Sequence, residues 1–172
     1  MDQQCFKETV FILRDELYRF AKRFLISGDE AEDVVQELML KFWQTRNELS
    51  KYNNLKAFAM RAVKNECLNR LKHHEIKQQY RNSFDGNDSY QSPSDGIKEQ
   101  IIAFINQLPT KQRVVIHLRD VEEYEIAEIA EVLEMAENAV RANLTRARQT
   151  IREQITGFME MEKRAVERFS QI

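Results

Sequence analysis

Arg141, Thr145, Arg148 and Arg152 recur at steps of four, three and four residues, so on a helix they share one face. A row of guanidinium groups suits phosphate oxygens and the O6/N7 edge of guanine. A second set, Phe58, Arg61, Asn65, Asn69 and Lys72, keeps the same kind of spacing. Between Lys56 and Arg81 stand seven Lys or Arg against two acids, Glu66 and Glu75. There the cations fit phosphates, the amides fit base edges, and the aromatic ring can stack on an unpaired base. Tyr52, Asn53 and Asn54, in the stretch just before, lie within reach of a base taken out of the stack. A third set, Asp33, Glu37, Leu40 and Gln44 with Gln36 at its edge, is a leucine ringed by carboxylates and amides. It suits docking on a basic protein partner. Plainer readings cover the same residues: a solvated face with one stray leucine, a solubilising basic helix with Phe58 at the core rim, and an amphipathic hairpin within a bundle.

No catalytic residues emerge, because the chain offers no nucleophile–base pairing and no phosphate loop. Cys5 and Cys67 form no CxxC, and three histidines add no metal-ligand spacing, so neither a metal nor a cofactor is expected. Such cysteine usage fits a reduced, cytoplasmic protein. The N-terminal stretch carries Asp2, Glu8 and Asp15 and lacks a signal-peptide pattern, and no run is apolar enough for membrane insertion. Net charge is −2, from 28 acids and 26 bases. Attraction for nucleic acid must therefore come from local patches.

These faces require helices to carry them, and the patterning is helical throughout, which makes the fold class all-α. Phe6, Val10, Leu13, Leu17, Phe20 and Phe24 form one apolar stripe. Ser27 and Glu30 make a capping box that opens a second helix with Ala31, Val34, Val35, Leu38 and Phe42 inside. A third helix runs from about Leu55 to Lys77 and buries Leu55, Ala59, Ala62, Val63 and Cys67. Residues 82–96 then break the pattern: thirteen of the fifteen are polar, Gly or Pro, which predicts a flexible linker. Beyond it Ile97, Ile101, Phe104, Ile105 and Leu108 line a helix closed by Pro109. Helices over 111–119 and 125–133 follow, then one opening near Ala136 with Val140, Leu144, Ala147 and Ile151 on its inner side. The pair around Glu134 reads as a helix-turn-helix in which Ile126, Ile129, Ala130 and Leu133 pack on Val140 and Leu144. The organisation is two small helical domains, 1–81 and 97–155, joined by the linker 82–96. An amphipathic extension, 156–172, carries Phe158, Met161, Ala165, Phe169 and Ile172 and either packs back or binds a partner.

Four segments in order, AEDVVQELMLKFW (31–43), AFAMRAVKNECLNRLK (57–72), LPTKQRVVIHL (108–118) and EIAEVLEMAENAVRANLTRAR (128–148), resemble a bacterial extracytoplasmic-function sigma factor of the sigma-70 family. The resemblance runs from Phe6 to about Gln154. It implies a transcription initiation factor whose first domain binds core RNA polymerase and reads the −10 element, while the second reads the −35 element and meets the polymerase flap. Asp33, Gln36 and Glu37 match the polymerase-binding motif, to which the residue pattern adds Leu40. Phe58, Asn65, Asn69 and Lys72 match the −10 face. Arg141 and Arg148, with Asn143 and Thr145, match the −35 recognition helix. The sequence departs from the family at Glu134, Ala136 and Ala139, where Gly, Ser and Thr are common. Core RNA polymerase and promoter DNA are the implied partners, with an anti-sigma factor a further candidate. A free-standing helix-turn-helix regulator and an all-α adaptor are the rival readings.

Overall fold

The computed structural model describes residues 1–81 and 97–169, and within them every regular element is helical. In chain order these are α1 (Gln3–Thr9), α2 (Arg14–Leu25), α3 (Gly28–Gln44), α4 (Arg46–Leu49), α5 (Leu55–Arg81), α6 (Ile97–Gln107), α7 (Thr110–Ile116), α8 (Ile126–Leu133) and α9 (Glu137–Phe169). The expected linker, 82–96, and Ile172 lie outside the described residues.

The first module is built on α2, α3 and α5, which enclose Leu17, Phe20, Val34, Val35, Met60 and Val63. Ser27 caps α3 as its spacing predicts, accepting from the Glu30 amide at 3.3 Å. The N-terminal stripe is not one helix. Thr9 Oγ1 donates to the Cys5 carbonyl at 2.7 Å, and a 3-10 turn over Phe11–Leu13 separates α1 from α2. Phe6, Val10, Leu17, Phe20 and Phe24 still reach the core, but Leu13 is only half-buried and Phe11 and Ile12 face outward. On α5, Ala59, Val63 and Cys67 are buried, whereas Leu55 and Ala62 are half-buried.

The second module packs α7 and α8 against α9, with α6 alongside. A π-helical turn over His117–Val121 follows α7, with the Glu122 amide donating to the His117 carbonyl at 3.0 Å. On α8, Ile129 and Val132 are the fully buried residues, and Ile126, Ala130 and Leu133 pack at the rim. The C-terminal extension is no separate element, because α9 continues through Gly157 to Phe169. Of its expected stripe, Phe158 packs edge-on against Phe104, with ring centroids 6.3 Å apart, while Met161 is 70 % exposed.

The modules do not sit apart. α7 packs on α2, and α8 packs on α5. The buried Arg113 guanidinium joins them. It donates to the Arg23 and Phe24 carbonyls at the end of α2 and to the Asn106 and Leu108 carbonyls at the end of α6. Both helix ends carry carbonyls without intrahelical partners and partial negative charge, which is why one guanidinium satisfies them without a carboxylate.

Candidate nucleic-acid and polymerase interface

On α3, the helical period puts Ala31, Val34, Val35, Leu38 and Phe42 inside and leaves Asp33, Gln36, Glu37, Leu40 and Gln44 exposed on the outer face. Leu40 is 58 % exposed, the one large apolar side chain on this polar face. Two of these side chains are already engaged. Glu37 accepts from Arg70 of α5 at 3.0 Å, and Gln36 donates to Glu32 at 3.0 Å. Asp33 and Leu40 are the exposed centre of the patch.

Along α5, Asn65, Asn69 and Lys72 are exposed and rise in successive turns of one side. The aromatic expected to stack on a base is already used: the half-buried Phe58 ring stacks on Tyr52 at 4.0 Å and leans on Phe42 at 5.7 Å. Tyr52 thus supplies the outer ring of the pair, with Phe58 as its support. Asn54 also has a local task, accepting from the Ala57 amide at 3.0 Å at the start of α5. Asn53 stays exposed beside it. Arg61 is half-buried, 3.2 Å from the Glu131 carboxylate of α8.

The helix-turn-helix has the expected geometry. Glu134 ends α8 in the left-handed region, at φ 53° and ψ 47°. A side chain with a Cβ is strained there by about 1–2 kcal/mol, where glycine is not. Met135 N–H closes the turn on the Ala130 carbonyl at 3.0 Å. Ala136 supplies only its carbonyl, to the Ala139 and Val140 amides at 2.9 and 3.1 Å. On α9, Val140, Leu144, Ala147 and Ile151 are buried, and Arg141, Thr145, Arg148 and Arg152 are exposed beside them. Arg141 meets Glu137 at 2.9 Å. Arg148 forms a fork with Asp120 of the π-helical turn, Nε at 3.0 Å and Nη2 at 2.5 Å, which raises its pKa. Asn143 does not join this face. Two residues past Arg141 it points to the opposite side, half-buried, and its amide donates to the Ala139 carbonyl at 2.8 Å.

The residues that sequence reasoning missed lie where the modules meet. Arg19 forks onto Glu122 at 2.5 and 2.9 Å. Lys56 reaches Glu16 at 2.8 Å and lies 4.5 Å above the Tyr124 ring. Tyr124 donates to Glu16, and burial with that carboxylate pushes the phenol above its usual range. Lys64, its side chain only 7 % exposed, pairs with Glu134. One signal was legible: α5 carries Leu68 and Leu71 off its inner stripe, and a helix apolar on two sides faces two neighbours. Leu68, Leu71, Asn69 and Lys72 line a cleft of about 590 Å³ closed by Val114, Leu133 and Met135 of the second module. Among the described residues there is no cluster suited to a metal ion and no helix long and apolar enough to cross a membrane.

Comparison with known proteins divides the chain along the same line. Residues 12–75 match the family model for sigma-70 region 2, and residues 98–151 match that for sigma-70 region 4. The ECF RNA polymerase sigma factor SigW of Bacillus subtilis (strain 168) is 24% identical over 169 residues, covering 90% of each chain. The fold is similar to that of the sigma factor RpoE in complex with the anti-sigma factor NepR, from Bartonella quintana. That match has a TM-score of 0.74 and 21% identity over 89% of this chain and 98% of that one. It is also similar to CnrH in complex with the cytosolic domain of CnrY, at TM-score 0.63 and 20% identity over 91% of this chain and 90% of that one. With regions 2 and 4 both matched, in order and together over more than half of its length, the chain belongs to the sigma-70 family.

Proposed function

We propose that the chain serves as a cytoplasmic transcription initiation factor, not an enzyme, and that three helical faces divide the work. It binds core RNA polymerase and directs it to promoters, as a sigma-70 factor does. On this reading the exposed Asp33–Leu40 patch of α3 docks polymerase, Asn65, Asn69 and Lys72 of α5 with Tyr52 take the −10 strand, and Arg141, Thr145, Arg148 and Arg152 of α9 enter the major groove at −35. The observation that carries it is the pairing of regions 2 and 4 in one chain, each with its expected polar face exposed. A free-standing helix-turn-helix regulator has no use for the first module. Neither cationic face is large enough to hold DNA alone at physiological salt, where affinity falls steeply with ion concentration. Mounting both on polymerase makes the second contact effectively intramolecular. The anti-sigma factor NepR seen with RpoE makes such a protein a candidate partner here as well.

The test is run-off transcription from a genomic promoter library with core polymerase, with and without the chain. Promoter-specific transcripts that need both components support the assignment. DNA footprints formed by the chain without polymerase would instead favour the free-standing regulator.

A further inference from the structure

A cavity of about 700 Å³ opens between α6, α9 and the π-helical turn, away from every face assigned above. Ile101, Ile102 and Ile105 of α6 line it together with Ile116 of α7 and Ile151 of α9. β-branched side chains keep one preferred χ1 in a helix, so these isoleucines do not swing inward to fill the space. The π-helical turn contributes Val121, His117 and Asp120 to the wall. Such turns recur at functional sites. Ile102 and Val121 remain exposed, which leaves the opening apolar as well.

Two buried nitrogens on this apolar wall have no hydrogen-bond partner, Arg23 Nε of α2 and His117 Nε2. His117 is only 4 % exposed. Its Nε2 stands 3.4 Å from the Glu122 carboxylate without bonding to it, and Arg19 already forks that carboxylate. Buried polar groups are nearly always satisfied, so two open donors in one pocket call for an acceptor from outside the chain. Water is a poor filling for a space of this size walled by isoleucine.

Charge around the cavity is unbalanced too. Arg23 makes no ion pair among the described residues, and burial lowers its pKa. Of the carboxylates nearby, Glu122 is taken by Arg19 and Asp120 by Arg148. One guanidinium is therefore left without an anion at the edge of an apolar space. Burial first, then the Arg23 charge, push His117 down to about 4, so near neutral pH its imidazole is uncharged. With its proton on Nε2 it adds a second donor beside that guanidinium.

We propose that this cavity binds an amphipathic monocarboxylate, with Arg23 and His117 taking the carboxylate and the isoleucine wall taking an aliphatic tail. The guanidinium fork matches a carboxylate in charge and geometry. Small-molecule pockets share this plan, a mostly apolar lining with a few polar groups that orient the ligand. The site goes beyond the sigma-factor reading and uses none of the residues assigned to polymerase or DNA.

Isothermal titration calorimetry of the full chain with octanoate, kept below its micelle concentration, tests the site. The parent protein should bind octanoate saturably. Octanol, which has the tail without the charge, should bind about tenfold more weakly, the loss expected for one charge-assisted pair. Acetate, which has the charge without the tail, should not bind measurably. Arg23→Gln should weaken octanoate by about the same factor and leave octanol unchanged. Ile102→Glu, at an exposed position outside the core, should weaken both. In the parent protein the His117 imidazole resonances, assigned with His117→Gln, should move with octanoate and stay in place with acetate. That measurement stands even if a substituted chain folds poorly. Absence of saturable octanoate binding, equal binding of octanol, or a His117 signal that ignores octanoate overturns the proposal. So does an isotherm untouched by both substitutions, which would place the acid elsewhere on the surface. None of these readouts involves polymerase or promoter DNA, so the sigma-factor reading stands or falls separately.

Discussion

Arg113 Nη2 donates to the Phe24 carbonyl at 2.9 Å, so a buried cation of the second module caps the last turn of a helix in the first. Its Nη1 meanwhile holds the end of α6 through the Asn106 and Leu108 carbonyls. Arg113→Leu leaves these carbonyls in an apolar setting without a donor. Each unsatisfied buried group costs about 1–3 kcal/mol, and partial rescue by water should leave a net loss of ~2–4 kcal/mol. Urea unfolding of the two proteins measures it, and a change under 1 kcal/mol would mean that water replaces the guanidinium.

The exposed patch on α3 predicts a separable binding defect. Leu40→Ala with Asp33→Ala removes side chains that support no core contact, so helical circular dichroism should be unchanged. Affinity for core polymerase should fall about tenfold, the effect of truncating one exposed anchor worth ~1–2 kcal/mol. Glu37→Ala should act more weakly, because its carboxylate is already shared with Arg70. A core-polymerase pull-down titration that returns parental affinity for the double variant removes α3 from the interface.

Arg148 is held by Asp120, and the proposed −35 contact would exchange this ion pair for DNA. Arg148→Ala should relax preference at one or two upstream positions, since a bidentate guanine contact discriminates by about 1–3 kcal/mol. Asp120→Asn should weaken the fork while keeping the guanidinium. Promoter selection from a randomised library reads both, and an unchanged upstream preference for Arg148→Ala would place base reading elsewhere.

His117 gives the fold a pH dependence. Burial first, then the Arg23 charge, lower its pKa to about 4, against the pull of the Glu122 carboxylate 3.4 Å away. The unfolded chain takes up this proton near pH 6.5, the folded chain only near 4. Between those values the unfolded state binds more protons, so stability is full above about 6.5 and declines as pH falls towards 4. The whole interval corresponds to ~3 kcal/mol. Glu122, held low chiefly by the Arg19 hydrogen bond, adds a loss of the same sign at lower pH. His117→Gln should flatten the slope of unfolding free energy between pH 6.5 and 5, and an unaltered slope would assign it to other groups.

The proposed role of α5 in strand capture makes its exposed amides the groups to remove. Asn65→Ala with Asn69→Ala should slow promoter opening more than closed-complex formation, because base edges are reached only after unstacking. Tyr52→Ala should slow it too, and should leave Phe58 more exposed. A 2-aminopurine probe in the non-template −10 strand, followed with polymerase present, reports the rate. Equal rates for parent and variants would exclude this surface from melting.

Much of this was legible along the chain because it depends on local spacing. The inner stripes of α3 and α9, the Ser27 cap, and the outward placement of Asp33, Leu40, Asn65, Arg141 and Arg148 follow from a 3.6-residue period, which needs no knowledge of what lies opposite. The helix-turn-helix around Glu134 was legible in the same way, but the left-handed conformation of Glu134 itself came from the structure. The break after Thr9 was not legible, because the 3-10 turn over Phe11–Leu13 leaves the apolar spacing on either side intact. Phe58 at the core rim was one of the sequence readings, but nothing in its spacing tells of Tyr52 folding over it. What only the tertiary structure decided is which charges face each other. Lys64 and Glu134 are 70 residues apart, and no periodicity links them. A charged side chain reads as solvated until a second surface removes its water, and from then on its partner decides what it can do.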